Sequence, residues 1–385
     1  MGKTGAEFLP AERMKLVSYP IRDIVMEAKR EEASGKEMIY LNIGDPGAYG
    51  FAPPEIISEK VKEALSMHLS GYAPSEGDAE LRKAVANLEG CEPNDVFVTC
   101  GLTEGIEYFI QAFIGKGETL LLPNPTYPLY ITKADVFEAK TAYYKHDRNG
   151  EIDLEGLERS IIGAKAMVII NPNNPLGSVY SKKNLSRVVE ICASHGVPIF
   201  YDGSYDKLIF DEYVDFRKIA KGKVPFVYGS SLSKVFLYPG ARVGWVAFHG
   251  EGWEKIKDAY FRLCNQRLSV NWEFQKATAV AILDESHLPQ LKQTLVERRD
   301  ALVKATSGMP LEYPIPKGAF YAFIKLTSGK WKSDWEFVRA AIKQGVVFVP
   351  GSGFGKQEDG AYFRTTFLPE PEIIRNAFEK IEKII

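Results

Sequence analysis

Short apolar runs alternate with segments of helical periodicity through the middle of the chain, between about residues 95 and 248. The apolar runs are rich in Val, Ile, Phe and Tyr and are too short to form helices, so they predict β-strands. The predicted strands cover residues 96–99, 119–122, 141–144, 166–170, 198–201, 226–228 and 243–248. Strands that alternate with helices favour an α/β fold in which a mostly parallel, seven-stranded sheet lies between layers of helices.

One of the intervening helices has clear start and stop signals. Ser181 suits the N-cap position, apolar side chains recur at helical spacing from residue 185 to residue 192, and Gly196 suits the position after the last turn. The next predicted strand begins directly afterwards, so this segment is interpreted as a crossover between two parallel strands. An earlier amphipathic helix is predicted after Pro53-Pro54.

The last third of the chain has a different order of elements. A long charged helix is predicted over residues 287–307, and a final helix from Pro371 onward. Strands are predicted between them over residues 320–326, 345–349 and 363–367. This order predicts a smaller α+β domain. We expect an N-terminal segment at 1–43 that packs with the smaller domain, a large domain at 44–285 and the small domain at 286–385.

Composition and charge narrow the class of protein. The chain has 385 residues, of which 45% are hydrophobic and 25% charged, and its formal net charge is −2. These values are typical of a globular protein and do not indicate nucleic acid or a membrane surface as a partner. The longest apolar stretches are strand-sized, the N-terminus has no apolar signal core, and the four cysteines have no CxxC spacing. We therefore expect a soluble cytoplasmic protein.

Several kinds of site have no support in the sequence. The five histidines contain no pair at i,i+4, so no metal site is expected. Neither a Walker A loop nor a GxSxG nucleophile motif is present. The glycine-rich run at residues 351–355 lacks dinucleotide-binding spacing and is interpreted as a turn.

Polar residues follow the predicted strands at their carboxyl ends, where ligands bind in open α/β sheets. They are Gly101-Leu102-Thr103, Tyr127, Asn171, Asn173, Asn174, Asp202, Tyr205 and the Ser231–Lys234 segment. Each of them alone has a structural explanation, because Asn-Pro pairs form turns, an Asp after a strand caps a helix, and a single lysine is usually solvated. Together they predict a crevice with hydrogen-bond donors, acceptors, an aromatic face and an amine.

The amine and its neighbours indicate a particular cofactor. An amine held in a protein interior, such as that of Lys234, can form a Schiff base with an aldehyde. Nearby serines and Arg242 suit a phosphate, and a helix that begins after Gly101 adds backbone N–H groups for an anion. This combination predicts pyridoxal 5′-phosphate. Asp202 then keeps the pyridine nitrogen protonated, so that the ring accepts electrons from a substrate carbanion.

The order of these segments resembles the class I aminotransferases, which are pyridoxal-phosphate enzymes of the aspartate aminotransferase fold (fold type I). The resemblance extends from about Leu41 to the C-terminus, and the alanine aminotransferase-like branch is the most similar. The motifs that carry it are LNIGDP (41–46), CGLTEG (100–105), NPTYPLY (124–130), NPNNPLG (171–177), YDGSYDKL (201–208), SSLSKVFLYPGARVG (230–244) and FRTTF (363–367).

The resemblance implies a role for each site residue. Lys234 would hold the cofactor as a Schiff base and then move a proton at the substrate Cα. Asp202 would pair with the pyridinium, Tyr205 and Asn174 with the phenolic oxygen, and Tyr127 would stack on the ring. The implied phosphate-binding residues are Leu102, Thr103, Ser231, Ser233 and Arg242.

The resemblance also implies how substrate and partner are bound. Arg364 would bind the substrate α-carboxylate, with Gly44, Tyr127 and Asn174 beside it. Tyr72 would reach the phosphate of a neighbouring subunit, which implies a homodimer. Arg22 and Arg267 are the candidates for a second carboxylate-binding arginine.

Three positions depart from the family pattern. Leu102 stands where a small residue is common, Leu176 replaces the usual threonine of NPTG, and Gly203 follows Asp202 where an acidic residue is frequent. None of the three removes a group with a chemical role.

The expected reaction is reversible transfer of an amino group between an L-amino acid and a 2-oxo acid, with alanine and 2-oxoglutarate as the implied pair. Three alternatives stay open: an aspartate or aromatic amino acid aminotransferase, a C–S lyase on the same fold, and a non-enzymatic sensor that keeps only the cofactor domain. No basic stretch near the N-terminus supports the sensor.

Overall fold

A seven-stranded sheet forms the centre of the protein, whose computed structural model describes residues 8–17 and 20–385, without the side chains of residues 20–22. Its strand order is β2-β8-β7-β6-β5-β3-β4. The strands are β2 Val96–Thr99, β3 Thr119–Pro123, β4 Lys140–Tyr144, β5 Ala164–Ile170, β6 Ile199–Asp202, β7 Phe226–Ser231 and β8 Gly244–His249. Only β8 runs antiparallel to its neighbours in this sheet, so the predicted, mostly parallel α/β sheet is confirmed.

Within the described residues, thirteen α-helices surround this sheet and a smaller one. They are α1 Pro20–Ala33, α2 Glu55–Ser66, α3 Ala79–Glu89, α4 Leu102–Phe113, α5 Pro128–Val136, α6 Leu154–Ser160, α7 Lys182–His195, α8 Phe216–Ala220, α9 Glu254–Arg267, α10 Trp272–Ala281, α11 Leu288–Ala305, α12 Asp334–Lys343 and α13 Pro371–Glu382.

Both faces of the large sheet are covered because alternate side chains of each strand point to opposite sides. On β5, Met167 and Ile169 join an apolar cluster that includes α7, whereas Val168 and Ile170 join a second cluster that includes α4. A strand buried on both faces needs a continuous apolar sequence, which β5 has.

Local sequence signals determine where helix α7 begins and ends. The Ser181 side chain accepts a hydrogen bond from the backbone N–H of Asn184 at 3.1 Å, which satisfies one free donor of the first turn. Gly196 ends the helix in the left-handed region, with φ of 64°. Both positions were predicted from the sequence.

The smaller sheet is antiparallel and carries the strands of the last third of the chain. Its order is β12-β13-β10-β9, made of β9 Leu311–Glu312, β10 Tyr321–Leu326, β12 Val349–Pro350 and β13 Tyr362–Thr366. Helices α11 and α13 pack against each other beside it. The single strand predicted over residues 345–349 is wrong in detail, because it divides into β11 (Val346–Val347) and β12.

The N-terminal segment contacts both parts of the molecule. Strand β1 (Ile39–Tyr40) pairs in parallel with β11, and α1 packs against α12 and β12. A 3-10 helix, Glu12–Leu16, instead contacts α5 of the large sheet layer. The domain boundaries at residues 43 and 285 stay a prediction. Among the described residues, no helix has the length and apolar character that crossing a bilayer requires.

Candidate active site

The carboxyl ends of the large-sheet strands and one face of the small sheet enclose a cavity of about 410 Å³. All but one of the residues to which the resemblance gives a definite role line it: Gly44, Leu102, Thr103, Tyr127, Asn174, Asp202, Tyr205, Ser231, Ser233, Lys234, Arg242 and Arg364. The exception is Tyr72, whose side chain is 79% exposed outside the cavity. Residues separated by more than 300 positions in sequence therefore meet in one place.

Lys234 follows strand β7 and presents its amine to the cavity. Its Nζ donates a hydrogen bond to the carbonyl oxygen of Gly44 at 2.7 Å. Desolvation lowers the pKa of this amine to about 8, with Arg364 and Arg242 adding to the effect and Asp45 opposing it. A larger fraction of the amine is therefore uncharged near neutral pH than in an ordinary lysine, which a nucleophile or a base requires.

Asp202 ends strand β6 and is buried. Its Oδ1 accepts from the backbone N–H of Ser204 at 3.0 Å, and its Oδ2 accepts from the Tyr130 hydroxyl at 2.9 Å. Burial raises the pKa of this carboxyl, while the two hydrogen bonds oppose the rise. No lysine or arginine in the described part of the chain forms a salt bridge with Asp202. A cationic ring nitrogen would supply the missing positive charge.

A glycine-lined turn forms an anion cradle at the start of α4. Gly101 adopts a φ of 70°, and the helix that follows leaves its first N–H groups free. A Cβ on Gly101 would lie 2.5 Å from Arg242 Nη2, and a Cβ on Gly244 would lie 2.6 Å from the backbone nitrogen of Leu102. Only glycine at both positions lets the guanidinium and the start of the helix approach each other. Together the guanidinium and the backbone N–H groups form a set of donors that suits a phosphate.

Arg364 on β13 is buried, with 2% of its surface exposed. Its Nη1 donates to Asn174 Oδ1 at 3.2 Å and its Nη2 donates to the Asn42 carbonyl oxygen at 2.6 Å. Its Nε has no hydrogen-bond partner in the part of the chain that the structure describes. The guanidinium carbon lies 4.3 Å and 4.8 Å from the ring centroids of Tyr321 and Phe354. The group is therefore fixed in orientation while part of its hydrogen-bonding capacity is free for an anion.

The three departures from the family pattern have simple explanations in the packing. Leu176 is buried in an apolar cluster with Phe354. A Cβ on Gly203 would lie 2.4 Å from the hydroxyl of Tyr228, which donates to Asp206 at 2.5 Å. The space beside residue 203 is thus already filled by a tyrosine. Leu102 lines the cavity, and its backbone N–H lies in the first turn of α4.

The two candidates for a second carboxylate-binding arginine have different outcomes. Arg267 does not line the cavity, because its guanidinium lies 3.2 Å from Glu104 Oε2 and donates to the carbonyl oxygen of Val98 at 2.9 Å. The side chain of Arg22 lies outside the described residues.

Sequence reasoning missed several residues that border the same cavity. They are Ile43, Asp45, Ile106, Ile170, Ser204, Pro239 and Tyr321. Tyr130 was also missed, although it lies one helical turn after Tyr127 and contacts Asp202 directly. Ser204 and Asp45 are immediate neighbours of predicted residues, whereas no local signal distinguishes Tyr321.

The arrangement fits pyridoxal phosphate on three counts. A lysine amine with a lowered pKa faces the cavity, and the turn at Gly101 and Arg242 offer donors for a phosphate. The buried carboxylate of Asp202 has no cationic partner among the residues that the structure describes. The polar side chains of Tyr205 and Asn174 border the same space.

Comparison with known proteins agrees with this chemistry. A family profile described as "Aminotransferase class I and II" matches residues 36–381. Glutamate-pyruvate aminotransferase AlaA of Haemophilus influenzae is 31% identical over 98% of this chain and 98% of its own length. Alanine aminotransferase of Mycobacterium tuberculosis is 29% identical over 97% of this chain and 92% of its own length.

The solved structures give the same result. An alanine aminotransferase from Pyrococcus furiosus superimposes with a TM-score of 0.93 at 34% identity, over 97% of this chain and 99% of that one. An aspartate aminotransferase from Thermus thermophilus, at 22% identity and a TM-score of 0.89 over 98% of this chain and all of that one, shares the fold. The chain therefore belongs to the class I and II aminotransferase family, whose members have fold type I and depend on pyridoxal phosphate.

Proposed function

We propose that this aminotransferase moves an amino group between alanine and 2-oxoglutarate, with Lys234 as the catalytic base and Arg364 as the ligand of the substrate α-carboxylate. One observation carries the proposal: an amine with a lowered pKa and a buried arginine without a carboxylate partner border the same cavity. Alanine is favoured because two relatives that match nearly the whole chain are named alanine or glutamate-pyruvate aminotransferase.

The residues divide the chemical work among themselves. The chemistry that pyridoxal phosphate supplies, when bound, is withdrawal of electrons from the substrate Cα. Lys234 would take the proton from the substrate Cα and deliver it to C4′ of the cofactor. A pKa of about 8 suits this amine to both steps near neutral pH. Asp202 stabilises positive charge at the ring nitrogen. Arg364 binds the α-carboxylate and thereby fixes the direction of the Cα–H bond.

Other side chains hold the cofactor in place. The N–H groups at the start of α4 and the Arg242 guanidinium would bind its phosphate. Tyr205 and Asn174 would donate to its phenolic oxygen, and Tyr127 would pack against its ring. Arg364 and Asn174 are already joined by a hydrogen bond of 3.2 Å, so the carboxylate site and the phenolic-oxygen site share one side chain.

We further propose a homodimer in the cytoplasm. Tyr72 lies outside the cavity of its own chain with 79% of its surface exposed, and Leu65 and Met67 nearby expose more than half of theirs. A second copy that covers this region would bury the apolar surface and place Tyr72 at the phosphate of the other site. Gel filtration with light scattering checks the assembly, and Tyr72→Phe is expected to weaken cofactor binding without changing the oligomeric state.

The test of the reaction uses a panel of amino donors with 2-oxoglutarate. Alanine is expected to give the highest kcat/KM. Turnover of aspartate or phenylalanine without turnover of alanine would refute the substrate, and release of ammonia and pyruvate from a cysteine conjugate without any acceptor would favour a C–S lyase.

The test of the mechanism uses one lysine variant and a matched control. Lys234→Ala is expected to lose at least about 1,000-fold in kcat, and borohydride is expected to fix the cofactor to the wild type only. Lys207→Ala, which removes a lysine that pairs with Glu285 at 2.8 Å, is the control and should keep full activity. Full activity in Lys234→Ala would refute the proposed mechanism.

A further inference from the structure

Tyr321 contacts three other residues that line the cavity, Tyr205, Gly44 and Arg364. It begins strand β10 in the small sheet, has 2% of its surface exposed, and lines the cavity formed mainly by the large sheet. The motifs at the strand ends do not include it.

The first contact is with Tyr205, which lies 116 positions earlier in the chain. The two hydroxyl oxygens are 3.3 Å apart, and the two rings meet edge to face at 5.9 Å with an interplanar angle of 82°. The Tyr205 hydroxyl donates to the Tyr321 oxygen, so Tyr321 competes with any other acceptor for the single proton of Tyr205.

The second contact is with the backbone of Gly44. A Cβ on Gly44 would lie 1.6 Å from the Tyr321 hydroxyl oxygen, so the hydroxyl occupies the place of a side chain at residue 44. The carbonyl oxygen of the same glycine accepts the hydrogen bond from Lys234 Nζ. Tyr321 therefore sets the position of the peptide that receives the catalytic amine.

The third contact is with Arg364 across the small sheet. Strands β10 and β13 are antiparallel, with Phe323 opposite Arg364 and Tyr321 two positions before Phe323, so all three side chains project from the same face. The guanidinium carbon lies 4.3 Å from the centroid of the Tyr321 ring. The flat ring keeps the guanidinium in one plane by a cation–π contact.

We propose that Tyr321 is a positioning residue of the transamination site. Its hydroxyl oxygen accepts the Tyr205 proton and so weakens the hydrogen bond that Tyr205 would donate to the phenolic oxygen of the cofactor, and its ring directs Arg364 toward the substrate carboxylate. One residue of the small sheet thereby adjusts the cofactor side and the substrate side together. The inference rests on the proposed function for the roles of Tyr205 and Arg364.

Two substitutions separate the hydroxyl from the ring. Tyr321→Phe keeps the ring on Arg364 and removes the contact with Tyr205. The Tyr205 proton is then free for the phenolic oxygen, whose negative charge grows as the bound cofactor loses a proton, so the midpoint of the pH titration of the cofactor absorption band should fall by about 0.5. The KM for the best amino donor should change less than about twofold.

Tyr321→Leu removes the ring as well and should raise that KM by about 10-fold, because Arg364 loses its planar support. Tyr313→Phe is the control, since its hydroxyl bonds Thr306 at 2.7 Å and it does not line the cavity. It should leave both readouts unchanged. Thermal denaturation of each variant shows whether it is folded. If Tyr321→Leu is not folded, the nearly isosteric Tyr321→Phe carries the test.

An unchanged titration midpoint in folded Tyr321→Phe would overturn the proposal. A KM in folded Tyr321→Leu that equals that of the wild type would overturn the part concerning Arg364. The absorption titration needs no amino acid, so it reports on Tyr321 whatever the substrate is. Lack of alanine turnover by the wild type counts against the proposed function alone.

Discussion

Arg217, whose side chain is 12% exposed, and the buried Arg364 are held in opposite ways. Arg217 donates from Nε to Asp215 at 2.8 Å, from Nη1 to Glu89 at 2.7 Å and from Nη2 to the Tyr213 hydroxyl at 2.8 Å. Arg364 has a carbonyl and an amide oxygen as partners, and no carboxylate within the described part of the chain contacts it. A buried charge that is fully paired serves the fold, whereas one left open is available to a ligand.

The same difference separates the other charges of the two regions. Although burial opposes it, the Glu89 carboxylate raises the pKa of the Arg217 guanidinium above its usual range. Burial also raises the pKa of Glu89, to about 7, but its ion pair with Arg217 opposes the rise. Around the cavity burial raises the pKa of Asp202 and lowers that of Lys234, and neither group forms a salt bridge among the described residues. Ionised groups in the cavity are therefore energetically unfavourable until a bound molecule supplies an opposite charge. Substitutions in the two regions should accordingly affect stability and activity in opposite ways.

The largest effect on stability is expected from Arg217→Met. The substitution leaves Glu89 buried without its cation, which should lower the free energy of unfolding by about 3–5 kcal/mol. Urea denaturation of the cofactor-free protein measures this. The control is Arg187→Met, which removes an exposed pair with Glu158 and should leave the unfolding midpoint unchanged. A loss no greater than that of the control would show that the Arg217 cluster is not what stabilises this region.

Arg364→Met should show the reverse pattern. Removing the partner of the substrate carboxylate is expected to lower kcat/KM for alanine by about 3 kcal/mol, or about 100-fold. Unfolding of the cofactor-free protein should be little changed, because no carboxylate loses its partner. Steady-state kinetics and urea denaturation of the same preparation measure both. If stability falls as much as in Arg217→Met while turnover persists, the distinction between the two arginines is wrong.

Lys234→Met tests, in the absence of substrate, whether a buried charge without an ion-pair partner destabilises the folded protein. In the unfolded chain the Lys234 amine has its ordinary pKa near 10.5, whereas in the folded protein its pKa is about 8. Below pH 8 the folded protein therefore buries a charged amine, which lowers the free energy of unfolding. The variant should therefore be more stable than wild type at pH 6–7, by at most about 3 kcal/mol at 1.36 kcal/mol per pKa unit. The gain should shrink between pH 8 and pH 10.5. Urea midpoints for the cofactor-free proteins measure it, and a gain independent of pH would contradict the explanation.

The smallest effect is expected from Tyr130→Phe, which removes one of the two hydrogen bonds to Asp202. The loss should lower kcat by about 10-fold, or about 1.5 kcal/mol, because the acceptor is charged. Tyr144→Phe is the matched control: its buried hydroxyl donates to the carbonyl oxygen of Val168 at 2.9 Å and it does not line the cavity. Equal rates for Tyr130→Phe and the control would show that Ser204 alone supports the carboxylate.

The large sheet could be predicted from the sequence because its strands are short, apolar and separated by capped helices. All seven predicted strands are present, with shifts of at most three residues at their ends. The cavity residues at the strand ends could be predicted for the same reason, since the carboxyl ends of parallel strands meet at one edge. Their chemical roles stay a proposal.

Features that depend on distant contacts could not be predicted in this way. The apolar run around Phe348 is continuous in sequence, but its first half pairs with β1 and its second half with β13, so it forms two strands. Leu65 has helical spacing with Ile57, yet it is 58% exposed at the end of α2. Tyr321 has no local signal because its role arises where the small sheet meets the large one.

The strand that carries Arg364 has a further consequence for how the protein is made. A ribosome releases Lys234 and Asp202 more than a hundred residues before β13. The residues proposed to hold the cofactor are thus synthesised first, and Arg364, the proposed ligand of the substrate carboxylate, comes last. A chain truncated before β13 would lack Arg364, the proposed ligand of the substrate carboxylate, but would retain every residue proposed to bind the phosphate.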